Sequence, residues 1–156
     1  MTDMIQAGDQ APALNLPTDG AGTVNLAALS GKTVVLYFYP KDDTPGCTTE
    51  AKAFSESADA FAALDAVVIG VSRDTVASHT KFKAKYGLNL ILASDEDGAV
   101  VEAYGCWVQK SMYGRTYMGI ERSTVLIGPD GKILKIWRKV KVLGHAQQVL
   151  ETIKAP

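Results

Sequence analysis

The sequence predicts an α/β protein: a central sheet flanked by helices. Two runs carry that reading. Thr33 to Tyr39 and Ala66 to Ser72 are stretches of apolar, β-branched and aromatic residues, the pattern of strands buried on both faces. Each is followed by a segment with helical periodicity. The third observation is a hairpin near the C-terminus, where Pro129-Asp130-Gly131 separates two strand-like runs, Ser123 to Ile127 and Lys132 to Arg138.

The chain has 156 residues, 47% of them hydrophobic, and a formal net charge of −1. That suits a single domain over residues 1–156 with a core of its own. The charge balance favours neither nucleic acid nor a membrane surface as partner. The apolar stretches are strand-sized, so no membrane span is expected. Met1 to Gln6 lacks a basic region followed by an apolar one, so no secretory leader is expected. There are two cysteines and no Cys-x-x-Cys pair, which excludes a disulfide scaffold and points to a reducing compartment.

Taken in order, Leu14 to Leu16 reads as a short strand. Asp19-Gly20 is a turn before Thr23 to Leu26, giving a small hairpin. Gly20-Ala21-Gly22 is a bare turn rather than a phosphate loop. After the first buried strand, a helix from about Cys47 to Leu64 places Ala51, Phe54, Ala58, Phe61 and Leu64 on one face. The second buried strand leads into a helix from Ser72-Arg73-Asp74 to Tyr86, stopped by Gly87. Leu88 to Leu92 is a short strand, and Ala99 to Tyr104 a short helix. Residues 105–121 read as a long loop rich in aromatics, a cover over the core or part of a site. Lys132, Lys135, Arg138, Lys139 and Lys141 form a basic cluster of the kind that protects a sheet edge. Ala146, Val149, Leu150 and Ile153 give a last helix its apolar face. His79 and His145 have no partner at ligand spacing and are expected on the surface, with no metal site.

The functional signal lies between the first strand and its helix, in Tyr37-Phe38-Tyr39-Pro40-Lys41-Asp42-Asp43-Thr44-Pro45-Gly46-Cys47-Thr48-Thr49-Glu50. Pro40 ends the strand because it has no N–H for the ladder. Asp42 to Gly46 is turn chemistry. Cys47 therefore sits at a helix N-terminus, where unpaired N–H groups and the helix dipole favour a thiolate. Thr44 is placed to donate toward the sulfur, and Gly46 allows close approach. Against this stands the common role of a free cysteine as a small buried hydrophobe.

The pattern Pro40-x-x-x-Thr44-x-x-Cys47 resembles the peroxidatic signature of peroxiredoxins. The longer string YFYPKDDTPGCTTEA is similar to the Q-type subfamily, also called bacterioferritin comigratory protein, and the likeness runs over nearly all of the chain. It implies a thioredoxin-like fold with an N-terminal extension, and an insertion before the final hairpin. It implies thiol-dependent reduction of hydrogen peroxide or an alkyl hydroperoxide, without a cofactor. Cys47 would be the nucleophile, Pro40 would shield it, and Thr44 would bind sulfur and substrate. Arg122, at the start of the hairpin, would sit over the sulfur, with Glu50 orienting it. Trp107 would line the entrance or simply pack.

The chain departs from the subfamily in its second cysteine. Where a resolving thiol often stands five residues after Cys47, this chain has Lys52, and the next helix carries Phe82-Lys83-Ala84. Cys106 is the other thiol. Either Cys47 works alone and thioredoxin, glutaredoxin or glutathione resolves its sulfenic acid, which is the favoured reading, or Cys106 resolves it. The resemblance further implies a cytoplasmic protein, monomeric or a weak homodimer. Readings from other classes are a thioredoxin-fold binding or holdase module, a thiol–disulfide oxidoreductase, which would need a nearby second thiol, and a cysteine–histidine hydrolase.

Overall fold

In a computed structural model, which describes residues 5–155, the chain builds a five-stranded mixed sheet with two small two-stranded sheets beside it. The expectation about a leader rests mainly on residues 1–4, which lie outside the described residues. The elements run β1 (Asn15–Pro17), β2 (Thr23–Asn25), β3 (Thr33–Phe38), α1 (Pro45–Glu56), α2 (Ala58–Ala63), β4 (Ala66–Ser72), α3 (Val76–Tyr86), β5 (Ile91–Ser94), α4 (Ala99–Ala103), β6 (Trp107–Met112), β7 (Arg115–Ile120), β8 (Ser123–Ile127), β9 (Ile133–Trp137) and α5 (His145–Lys154). The central sheet has the order β5-β4-β3-β8-β9. β3 pairs in parallel with β4 and β4 with β5, whereas β8 runs antiparallel to both β3 and β9.

This order follows from the connections. Parallel neighbours need a crossover, and two successive right-handed crossovers in one direction put α1, α2 and α3 on the same face. Alternation along β3 divides the core accordingly. Val35, Tyr37 and Tyr39 join Cys47, Phe54, Phe61, Phe82, Val149 and Leu150 under the helices. Val34, Leu36 and Phe38 join Val101, Tyr104, Cys106 and the N-terminal residues Leu14 and Leu16 on the other face. Full burial of Phe54 contributes on the order of 2–3 kcal/mol. Among the described residues no helix is long and apolar enough to cross a membrane.

Several boundaries differ from the sequence reading. The single helix over 47–64 is two helices, α1 and α2, meeting at Ser57 with φ −94° and ψ 7°. α3 begins at Val76 because Thr75 caps it, its hydroxyl accepting from the Ser78 N–H at 3.1 Å. Gly87 ends it in the left-handed region as expected. The strand placed at Leu88–Leu92 is shifted to Ile91–Ser94. The basic cluster flanks and lies on β9, an edge strand, with Lys132, Lys135, Lys139 and Lys141 exposed.

Two corrections are larger. The 105–121 stretch is not a loop: β6 and β7 form a hairpin in register from Trp107↔Ile120 to Met112↔Arg115. Most of its side chains are exposed, so hydrophobic alternation was missing. The usable signal was Tyr113-Gly114, both at positive φ (52° and 77°), as a tight hairpin turn demands. The histidines are also misplaced by the sequence reading. His79 is fully buried and His145 is 3% exposed. Each is hydrogen-bonded through its ring, His79 to Asp42 and the Ala93 carbonyl, His145 to Thr124.

One packing contact constrains β4. A Cβ on Gly70 would lie 2.7 Å from Cζ of Tyr37, its partner on β3. Gly70→Ala is therefore expected to destabilise by about 1–3 kcal/mol in a thermal or denaturant melt. Tyr37→Phe, which deletes a buried hydroxyl lacking a hydrogen-bond partner, is expected to be neutral or stabilising.

Candidate active site

The site forms where the end of β3 meets the start of β8. Because Phe38 pairs with Ser123, Arg122 emerges just beyond the C-terminal end of β3, beside the segment that leads into α1. Pro45 opens α1 at a position where its missing N–H costs nothing. The Thr48 N–H donates to the Thr44 carbonyl at 2.8 Å. The N–H groups of Gly46 and Cys47 precede that bond and remain available to an anion.

Cys47 is 1% exposed. Arg122 Nη2 donates to its Sγ at 3.4 Å, and Arg122 Nη1 donates to Glu50 Oε1 at 2.7 Å. One planar guanidinium thus bridges the thiol and the carboxylate one turn further along α1. Gly46 makes room for it: a Cβ there would lie 3.2 Å from Arg122 Nη2. Burial pushes the Glu50 carboxyl up to about 7, against the opposing pull of Arg122. Burial also works against the charge on Arg122, but Glu50 and Cys47 more than offset it and hold its pKa above the usual value. A second cation, Lys110 on β6, belongs to the same electrostatic neighbourhood. Burial and the charge of Arg122 lower its pKa, while Cys47 and Glu121 act in the opposite sense. Sequence reasoning misses Lys110, because the hairpin that presents it is mostly exposed and carries no apolar alternation.

The other predicted residues divide. Pro40 follows β3 and is exposed. Thr44 is at the helix N-cap, but its hydroxyl donates to the Lys41 carbonyl at 2.9 Å, not to the sulfur as expected. Trp107 packs against the cluster on the opposite face, beneath Arg73, whose guanidinium lies 4.7 Å from the ring centre. It does not share the layer of Cys47. Cys106 is fully buried in that opposite cluster too. Its Sγ accepts from Arg138 Nη1 at 3.5 Å, and burial pushes the thiol up to about 11 despite Ser123 and Arg138. The two thiols are free and lie in different layers of the core.

Asp42, Asp74 and His79 bring one ligand-type atom each within 4.8 Å of one another. Those atoms are already engaged in hydrogen bonds to protein groups, so the cluster is a polar network rather than a vacant ligand set.

A thiol held at a helix N-terminus by an arginine that a buried glutamate anchors is suited to attack an electrophilic oxygen. The sequence comparisons agree. Residues 7–136 match the AhpC/TSA family. The chain belongs to that family. Among its relatives, the Bacillus subtilis peroxiredoxin Bcp is 51% identical over 150 residues, covering 96% of each chain. A solved structure of the Xanthomonas campestris bacterioferritin comigratory protein, described for its alkyl peroxide reduction activity, superposes with a TM-score of 0.88 at 43% identity. It covers 97% of this chain and 96% of that one. Xylella fastidiosa PrxQ gives 0.91 at 40% identity, covering 99% and 98%. The fold is the thioredoxin-like fold of AhpC/TSA peroxiredoxins.

The raised Glu50 is directly testable. A carbon-detected NMR titration of its carboxyl is expected to show a midpoint of about 7, charged above and neutral below. A midpoint near the free value of about 4.3 would show that burial does not control it. Glu50→Gln leaves Arg122 without its anion and is expected to lower peroxide consumption about ten- to a hundredfold.

Proposed function

We propose that the chain is a peroxidase in which Cys47 reduces hydrogen peroxide and organic hydroperoxides at the expense of external thiols. The observation that carries this reading is the Arg122 guanidinium, with Nη2 on Cys47 Sγ and Nη1 on Glu50. The reaction needs a sulfur nucleophile next to a fixed cation that can also hold a peroxide oxygen, and this geometry brings the two together. The thiolate attacks the terminal oxygen of ROOH. The O–O bond breaks, an S–O bond forms, and RO⁻ leaves as ROH after taking a proton. Cys47 is left as sulfenic acid. Gly46 and Cys47 N–H groups, with Arg122, stabilise the charge moving through the two oxygens. Pro40 limits access of water, and Thr44 positions the substrate after its hydroxyl turns from Lys41. The alkyl peroxide reduction named for the Xanthomonas campestris relative supports organic hydroperoxides as substrates.

Resolution falls to an external thiol: thioredoxin, glutaredoxin or glutathione. The thiol attacks the sulfenic sulfur, water leaves, and a mixed disulfide forms that a second thiol reduces. Cys106 is poorly suited to this step. It lies on the other face of the sheet from Cys47, and its thiol is pushed up to about 11. An intrachain disulfide needs Cα atoms within about 7 Å, so unfolding would have to bring the two together. The chain acts as one domain over residues 1–156, in the cytoplasm, whose reducing thiol pool suits two free cysteines. It is a monomer or a weak homodimer.

Peroxide consumption at fixed dithiothreitol tests the reading. Cys47→Ser is expected to abolish it and a folded Cys106→Ser to retain it. Loss in both variants would bring Cys106 into the cycle. A folded parent no faster than Cys47→Ser would remove the peroxidase assignment.

A further inference from the structure

The segment that delivers Cys47 to its site carries two consecutive aspartates, and both reach α3. Asp43 is exposed and accepts from Lys85 Nζ at 2.7 Å and from Tyr86 OH at 2.6 Å. Its φ of 59° is in the left-handed region, which aspartate tolerates better than most non-glycine residues. Asp42 is buried. Its Oδ1 accepts from Tyr39 OH at 2.5 Å, and its Oδ2 accepts from Ser78 Oγ at 2.8 Å. That same Oδ2 lies 2.6 Å from His79 Nδ1. The Asp42 backbone N–H donates to Asp74 Oδ2 at 2.8 Å, and Ser72 Oγ donates to the same oxygen at 2.7 Å.

Donor accounting gives the character of this contact. The Ala93 carbonyl can only accept, so His79 Nε2, 2.9 Å away, carries a hydrogen. Two bare lone pairs cannot face each other at 2.6 Å, so a proton also lies between His79 Nδ1 and Asp42 Oδ2. His79 is therefore a buried cross-brace from β5 through α3 to the segment preceding Cys47. Nothing in the peroxide chemistry uses it.

We propose that the Asp42–His79 pair is a clasp that holds the Cys47 segment closed and sets how readily it opens to a reducing thiol. This rests on the function proposed above and adds its control. In the closed state Cys47 is 1% exposed and in contact with Arg122, which suits a small peroxide. A protein thiol is far larger and needs the start of α1 to move away. The ties between residues 42–43 and α3 oppose that movement. The buried Asp42 tie is the stronger one, because water cannot replace its lost partners; the exposed Asp43 tie is weaker. His79 is thus a positioning residue: it promotes the peroxide step and slows the thiol step.

Hydrogen exchange read by mass spectrometry tests the clasp, with the two half-reactions timed separately by stopped flow, using hydrogen peroxide and then reduced thioredoxin. His79→Leu is expected to speed exchange over residues 40–48 about tenfold or more while β8 and β9 keep their protection. It should slow oxidation by peroxide and quicken reduction of the Cys47 sulfenic acid by thioredoxin. A folded variant with unchanged exchange at 40–48, or with protection lost evenly across β8 and β9, overturns the proposal. If His79→Leu does not fold, Ser78→Ala decides. Removing one donor to Asp42 must give the same local signature at smaller size, and no local change overturns the clasp. The exchange measurement needs no peroxide chemistry. A folded parent inert to peroxide would thus end the function proposed above while leaving exchange to judge the clasp.

Discussion

The guanidinium of Arg122 is the contact on which the site depends. It joins β8 to α1 by holding Cys47 Sγ and Glu50 Oε1 at once. Glu50 is 1% exposed on its side chain and Arg122 17%, so neither charge is well placed to exchange its partner for water. A buried pair of this kind adds little net stability over an apolar packing, yet loss of one member leaves a costly unpaired charge. Its value is geometric: the cation cannot leave the sulfur without abandoning the carboxylate.

That geometry is a product of sheet topology. Parallel pairing of β3 with β4 sends α1 across one face, and antiparallel pairing of β3 with β8 returns the chain to the same end of the sheet. The N-terminus of α1 and the entry to β8 therefore meet, and residues 75 positions apart come within hydrogen-bond distance. Cys47, at the start of α1, lies in one core layer and Cys106, just after α4, in the other. The sheet that assembles the nucleophile thus also separates the two thiols.

The site is closed from its other side by polar contacts of a different kind. Asp42 and Asp43 bind the segment before α1 to α3 through His79, Ser78, Lys85 and Tyr86. Arg122 governs the sulfur directly, whereas α3 governs the path the chain takes to reach it. Peroxide chemistry requires a closed site and thiol resolution an open one, so the balance between these two sets of contacts matters to both steps.

By itself the sequence determined the features that depend on local physics. β-branched runs named β3 and β4 as buried strands, and Pro40, Pro45 and Gly46 marked the turn into a helix that begins near Cys47. The string around Cys47 was enough to indicate the family, because those residues sit within one strand–turn–helix unit. Tertiary structure decided whatever needed distant residues to meet. His79 and His145 looked like surface groups because their partners Asp42, Ala93 and Thr124 lie on other elements. The β6–β7 hairpin is not legible in the sequence because strands that are mostly exposed need no apolar alternation. The Thr44 hydroxyl found the Lys41 carbonyl within its own turn. Only the tertiary structure could place Trp107 and Cys106 on the far face, because both follow α4, outside the central sheet, and the face that α4 covers is set by packing against distant residues.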